Sequence, residues 1–272
     1  MLIDTHAHLF WDSYKNGLDQ VIQRSVDAGI STIINVGVDV KLSRKAEQQT
    51  IQRSNNLTIY SSIGIHPHEA HKYSDNQKLA EDIAALEKIY HENPEKVIGV
   101  GECGLDYLFD SSKQLQHKLF KAQIDLAKKL NLPLLIHCRD DRSVNFQNTE
   151  CWDEVIKLTK DYKGIYHCYS GMLPTTSYIL QATNFLISFA GNLTYPKNDY
   201  LKEAVKILPL ERIVLETDCP FLPPQSIRGK RNEPSSVREI AQTIAEIKNE
   251  PLEKVAEITT QNVKRLFGLG NL

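Results

Sequence analysis

Eight short apolar runs, set apart by longer polar or amphipathic stretches, constrain the fold of this chain more than any other feature. They are LIDTH (2–6), TIINVG (32–37), IYSSIGIH (59–66), VIGVGE (97–102), PLLIH (133–137), GIYHC (164–168), FLISFAG (185–191) and IVLETD (213–218). Each is rich in Ile, Val or Leu. Short runs of this kind read as strands buried on both faces of a parallel sheet. The 272 residues shared among eight runs give 34 each, the size of one βα repeat. The simplest architecture is therefore one α/β domain over residues 1–272, a (β/α)8 TIM-type barrel. A doubly wound open sheet is the alternative.

Four intervening stretches carry helix signals. GLDQVIQRSVDAG (17–29) ends on glycine, and QLQHKLFKAQIDLAKKLN (114–131) shows an apolar stripe at helical spacing. EPSSVREIAQTIAEIKN (233–249) opens with Pro234 and two serines that can cap. PLEKVAEITTQNVKRLFG (251–268) starts on proline and ends on glycine.

Charge and cysteine usage narrow the function classes. Thirty-two basic residues against 34 acidic ones give a formal net charge of −2, which excludes a protein that coats long nucleic acid by bulk charge. A local basic patch stays open. No apolar run approaches the roughly 20 residues of a bilayer span. The start, MLIDTHAHLF, lacks the basic and apolar regions of a signal peptide. Five cysteines without a CxxC pair suit a reducing cytosol, so a cytoplasmic location is expected, with no membrane and no obligate protein partner.

Polar residues gather at the ends of the runs. The first ends in Asp4-Thr5-His6-Ala7-His8, the fourth in Glu102, the fifth in His137, the sixth in His167 and the eighth in Glu216-Thr217-Asp218. A barrel of parallel strands brings all of these to one face. Residues i and i+2 of a strand share a side, so His6 and His8 point together. One such residue is ordinarily a hydrogen-bonded surface group. Four imidazoles and two carboxylates at a buried mouth are costly without a cation to neutralise them. Six ligands exceed one tetrahedral zinc and suit two divalent metals sharing a carboxylate, an arrangement that lowers the pKa of water and stabilises charge during hydrolysis. Glu102 is the expected bridge. Asp218 is expected to bind metal and to accept the attacking water's proton, which makes these two the catalytic candidates.

Cys103, Cys138, Cys168 and Cys219 each directly follow a proposed ligand. Alternation turns them toward the layer between barrel and helices, where cysteine packs as a small apolar residue, and this is preferred to thiolate ligation.

Taken in order, these motifs resemble the TatD family of metal-dependent deoxyribonucleases, within the amidohydrolase-like superfamily. The resemblance runs from DTHAHL (4–9) through GIHPHEA (64–70), GECGLDY (101–107), HCRD (137–140), HCYSG (167–171), ETDCPFLPP (216–224) and RGKRNEPS (228–235) to NVKRLFG (262–268). It implies a TIM barrel, with His6, His8, Glu102, His137, His167 and Asp218 as metal ligands. It also implies hydrolysis of DNA phosphodiesters, with 3′ to 5′ exonucleases on single strands as the closest model. Many superfamily relatives place a carbamylated lysine at the bridging position, where this chain has Glu102. Two segments depart from the family pattern: DRSVN (141–145), and GNLTYPKND (191–199) with Pro196 where lysine is common. Imidazole ligands favour zinc or manganese over magnesium, whereas the resemblance favours magnesium or manganese.

Five further residues are candidates for substrate binding. His66 ends the third run and is as consistent with a phosphate contact as with a loop histidine; for His68 the loop role is preferred, and His71 and His91 are expected outside the site. Arg139 shares a side with His137 and could grip a phosphate bidentately, or pair with a nearby carboxylate. Arg228, Lys230 and Arg231 follow the eighth run, where barrels often place phosphate-binding loops. Tyr107, Tyr169 and Phe221 could stack bases near the mouth. The competing function is an amide or ester hydrolase acting on a small molecule or an aminoacyl-tRNA through the same centre, since fold does not fix reaction.

Overall fold

The computed structural model describes residues 1–54, 57–143 and 145–270, with the backbone alone over 51–54. Eight parallel strands form a nearly closed barrel. They are β1 (Leu2–Ala7), β2 (Ile30–Val36), β4 (Leu57–Ile63), β5 (Val97–Asp106), β6 (Leu134–Arg139), β7 (Gly164–Tyr166), β8 (Leu186–Phe189) and β9 (Ile213–Leu215), hydrogen-bonded in that order. All eight fall on the apolar runs, so the (β/α)8 TIM-type fold stands and the open sheet does not. Another strand, β3 (Ile51–Ser54), runs antiparallel to β4 as a hairpin outside the barrel. Its segment lacks an apolar run, so local composition did not announce it.

The seam between β1 and β9 is closed at its C-terminal end. Ala7 pairs in parallel with Cys219, the Asp218 amide donates to the His6 carbonyl at 2.8 Å, and the His8 amide donates to the Cys219 carbonyl at 2.9 Å. Deeper in the seam Asp4 accepts from the Thr217 amide (2.9 Å) and hydroxyl (2.6 Å). Burial pushes the Asp4 carboxyl up to about 8, against these hydrogen bonds.

Consecutive residues on one strand are buried on opposite sides, which is why the runs lack alternation. Ile33 belongs to the large cluster that includes the barrel's helical coat. Its neighbour Ile34 packs instead with Val36, Ile98, Leu135 and Phe267. Burying such a side chain contributes about 1.5–3 kcal/mol.

The helices are α1 (Leu18–Asp27), α2 (Val40–Gln48), α3 (Asn76–Glu92), α4 (Lys113–Leu130), α5 (Glu150–Thr159), α6 (Leu173–Ala182), α7 (Asp199–Ile207), α8 (Val237–Lys248) and α9 (Leu252–Phe267). Side-chain caps fix several starts: Asp39 accepts from the Leu42 amide at 2.6 Å and Asp75 from the Gln77 amide at 2.8 Å. The serines before α8 do not cap it, because residues 234–236 form a 3₁₀ turn instead. At the end of α9, Val263 and Phe267 join Ile3, Ile165, Leu186 and Val214, while Phe267 also touches the Ile34 cluster. This helix therefore fills the end of the barrel remote from the seam bridge. The opposite end, where the strands finish, is left for polar chemistry.

Candidate metal centre

Strand β1 aims His6 into the barrel mouth, and His8 follows just beyond its end on the same side. Their Nε2 atoms lie 3.2 Å apart. His8 Nδ1 sits 2.8 Å from the Val36 carbonyl, an acceptor, so Nδ1 carries the proton and the Nε2 lone pair faces the site. Asp218 lies three residues past β9 in a left-handed turn (φ 54°), a region aspartate enters more readily than most residues. Its Oδ1 stands 3.4 Å from His8 Nε2 and 3.9 Å from His6 Nε2.

Glu102, in the middle of β5, faces both halves of the site. Its Oε2 is 3.3 Å from His6 Nε2 and 3.7 Å from His8 Nε2. Its Oε1 is 2.8 Å from His167 Nε2, 3.0 Å from His137 Nδ1 and 3.2 Å from His66 Nε2. Among the described residues, three sets bring their ligand atoms within 4.8 Å of one another: His6, His8 and Asp218; His6, Glu102 and His167; His66, Glu102 and His137. All six residues read as ligands from the sequence thus converge, and His66 joins them.

Burial and mutual charge set the protonation states. Burial raises Glu102, but His167 and His66 outweigh it and hold the carboxyl well below its ordinary range. Burial lowers His167, yet Glu102 overrides it and lifts the imidazole well above its usual value. His6 is lowered by burial and by His167 beside it. Burial and the Asp218 contact oppose each other at His8, and the net shift is upward. His66 is pushed down to about 4, chiefly by burial. A cation must displace protons from the raised imidazoles, so loading is pH-dependent.

A cavity of about 860 Å³ opens over these residues. Arg139 lines it, exposed, and pairs with no carboxylate among the described residues. Arg228 lies over the ring of Tyr195, a cavity-lining residue, at 4.2 Å. Lys230 is exposed on the same loop. Arg231 turns the other way, pairing with Glu233 at 2.9 Å and covering Tyr14. The departures from the family pattern flank the mouth: Asn192, Tyr195 and Asn198 line the cavity, Arg142 donates to the Ser170 carbonyl at 2.8 Å, and Val144 lies outside the described residues.

Comparison with known proteins decides the family. The model of TatD related DNases matches residues 3–268. The chain belongs to the TatD family. It is 38% identical to the uncharacterized metal-dependent hydrolase YabD of Bacillus subtilis, over 98% of this chain and 99% of that one. It is 30% identical to the 3′-5′ ssDNA/RNA exonuclease TatD of Shigella flexneri, over 98% and 99%. The crystal structure of the TatD homolog YJJV from Escherichia coli K12 superposes with a TM-score of 0.84 at 26% identity, covering 99% of this chain and 98% of that one. This TatD-family protein is a metal-dependent hydrolase.

The donor set fits divalent cations. Five imidazole nitrogens stand 2.8–3.7 Å from the two oxygens of one buried carboxylate, a crowding that a shared cation would neutralise. Imidazole-rich donor sets of this kind suit divalent transition metals.

Sequence reading missed the supports of this TatD centre. Asp106, buried at the end of β5, places Oδ2 3.1 Å from His137 Nε2 and 2.8 Å from His68 Nε2. Gln116 brackets its backbone, accepting from the Asp106 amide (2.7 Å) and donating to its carbonyl (2.9 Å). The available signal was spacing: Asp106 is four residues past Glu102 on one strand, hence on the same side. His68 is accordingly no plain loop histidine, whereas His71 and His91 are exposed and outside the site, as expected. Glu216 stands 3.5 Å from His167 Nδ1. Cys103, Cys138 and Cys219 are buried, but Cys168 is half-buried in the cavity wall, because the chain leaves β7 at Tyr166 and turns with φ 44°. Tyr169 is buried beside Trp152, and Tyr107 bonds His117 and Glu154 away from the mouth. Of the three aromatic candidates only Phe221 lines the cavity.

Proposed function

We propose that this hydrolase is a deoxyribonuclease that removes nucleotides from single-stranded DNA ends, in the 3′ to 5′ direction. The carrying observation is Glu102, whose two oxygens face separate imidazole sets at the floor of an open cavity. His6, His8, Asp218 and Glu102 Oε2 would hold one divalent cation; His137, His167 and Glu102 Oε1 would hold a second. Such cations supply positive charge against a phosphoryl oxygen and water of lowered pKa.

The remaining roles belong to side chains. Asp218, the most open of the carboxylates, accepts the water's proton. His66 accepts from the His68 amide through Nδ1 at 3.2 Å, so its neutral form carries the proton on Nε2 and donates into the site. Arg139 offers a planar fork to a phosphate, and Arg228 with Lys230 extends positive charge along the rim. Arg231 braces the loop. Five cysteines without a CxxC pair support a reducing, cytoplasmic setting.

The test is a screen of purified protein on end-labelled single-stranded DNA, RNA, an aminoacyl-tRNA and simple esters, with magnesium, manganese or zinc and with chelator. Stepwise shortening from the 3′ end, abolished by chelator, is the expected result. Turnover of the esters or aminoacyl-tRNA alone would replace this reading with the amide and ester one.

A further inference from the structure

Two large apolar side chains on the rim are unexplained by core packing. Trp11 and Phe221 are 36% and 50% exposed, and both line the cavity that holds His8, Glu102 and Asp218. Single exposed apolar residues are ordinary. These two are neighbours, with ring centroids 6.3 Å apart at 77°, so they meet edge-on and do not stack face to face on each other. Phe221 also stands 6.3 Å from the His8 ring.

Both are held in place from below. Trp11 rests against buried Phe10 at 5.6 Å. The Phe221 amide donates to the Asp218 carbonyl at 3.0 Å, and its carbonyl accepts from Asn232 Nδ2 at 2.7 Å. Asn232 is fully buried and also donates to the Thr217 carbonyl at 2.9 Å. The turn that aims Asp218 into the centre therefore fixes Phe221 beside it.

We propose that Trp11 and Phe221 form a stacking platform for the nucleobase adjoining the bond to be cut. The proposal rests on the nuclease reading and extends it to the base. Every nucleobase has a π-face, so the platform tolerates any sequence. A base inside a duplex already has both faces stacked and is held by its partner, so an unpaired base turns a face to the platform more readily. The platform thereby selects single strands at the rim, while the centre below acts on the phosphodiester alone.

Three variants, Phe221→Ala, Phe221→Leu and Trp11→Ala, are assayed on a single-stranded oligonucleotide and on the same oligonucleotide with abasic residues at its end. Wild type should prefer the base-bearing substrate in KM by roughly 5- to 150-fold, the range spanned by one base–aromatic stack. In Phe221→Ala this preference should collapse toward one. Phe221→Leu keeps apolar bulk without a π-face and should lose it too. Binding is read separately with a non-hydrolysable phosphorothioate oligonucleotide on the metal-loaded protein. The chain has two tryptophans, and Trp152 is fully buried, so quenching of the exposed Trp11 reports a base against it. No turnover of either oligonucleotide by wild type with any of the three cations would defeat the nuclease reading, and the platform with it. Turnover with the preference unchanged in all three variants, or no quenching, would overturn the platform and leave the nuclease reading intact.

Discussion

Glutamine at position 102 keeps the shape of the side chain and deletes the one charge shared by both imidazole sets. Oε2 faces His6 and His8, while Oε1 faces His66, His137 and His167. Two unit charges about 4 Å apart attract by about 4 kcal/mol at an effective dielectric of about 20. A divalent cation is coupled at least this strongly, and each 1.4 kcal/mol is about tenfold in affinity, so Glu102→Gln should weaken a cation on either side by at least about 10³-fold. The glutamine carbonyl can still serve one side, whereas its NH2 turns a donor toward the other, so one position should suffer more. Isothermal titration with manganese or zinc, and elemental analysis after dialysis against micromolar metal, measure this directly. Wild type should retain two ions per chain, and the variant one at most. Chelated protein supplies the control. Glu102 sits well below its ordinary pKa, so its charge stabilises the fold above the unfolded carboxyl's value and that contribution is lost as pH falls through the folded value. Chelated Glu102→Gln should therefore melt lower than wild type at neutral pH. Lower melting with two ions still bound at unchanged affinity would refute the bridging role.

Other expected outcomes follow from the same geometry. Asp218→Asn should lower kcat on DNA by about 10²- to 10⁴-fold with the circular dichroism spectrum unchanged, and wild-type turnover would remove Asp218 from proton transfer. Arg228→Ala should raise KM on single-stranded DNA and flatten the slope of log KM against log salt by about 0.7. Arg231→Ala, whose partners are Glu233 and Tyr14, should instead cost about 1 kcal/mol or less of stability and leave that slope alone; the reverse pattern would exchange their roles. In chelator, unfolded His66 takes up a proton near 6.5 while the folded residue resists until about 4, so stability through this group falls as pH drops across that window. His66→Gln should lessen the acid sensitivity of the melting temperature between pH 6.5 and 4, and an unchanged slope would show that His66 is not buried neutral.

The sequence by itself narrowed the fold to a parallel α/β architecture, with the barrel as its simplest form and the open sheet as the alternative. Short runs without polar alternation suit strands covered on both faces, and eight of them at a βα spacing suit a barrel, but the contacts that close β1 on β9 belong to the tertiary structure. The same runs located six residues that the structure brings together at one mouth, because strand ends in a parallel barrel share one face and the i, i+2 rule turned His6 and His8 together. Tertiary structure alone decided what surrounds them. Asp106 meets His137 and His68 only when β5, β6 and the turn after β4 are neighbours, and nothing local marks a carboxylate as saturated by partners far along the chain. Arg228 and Arg231 are three residues apart in one basic run, yet one covers Tyr195 at the cavity and the other covers Tyr14 outside it. Cys168 and Cys219 both follow a proposed ligand, but a turn with positive φ opens the first to the cavity while the second is sealed in the seam. Periodicity reports which face of its own element a residue occupies. Which partner that face meets depends on contacts between elements distant in sequence, and those exist only in the closed barrel.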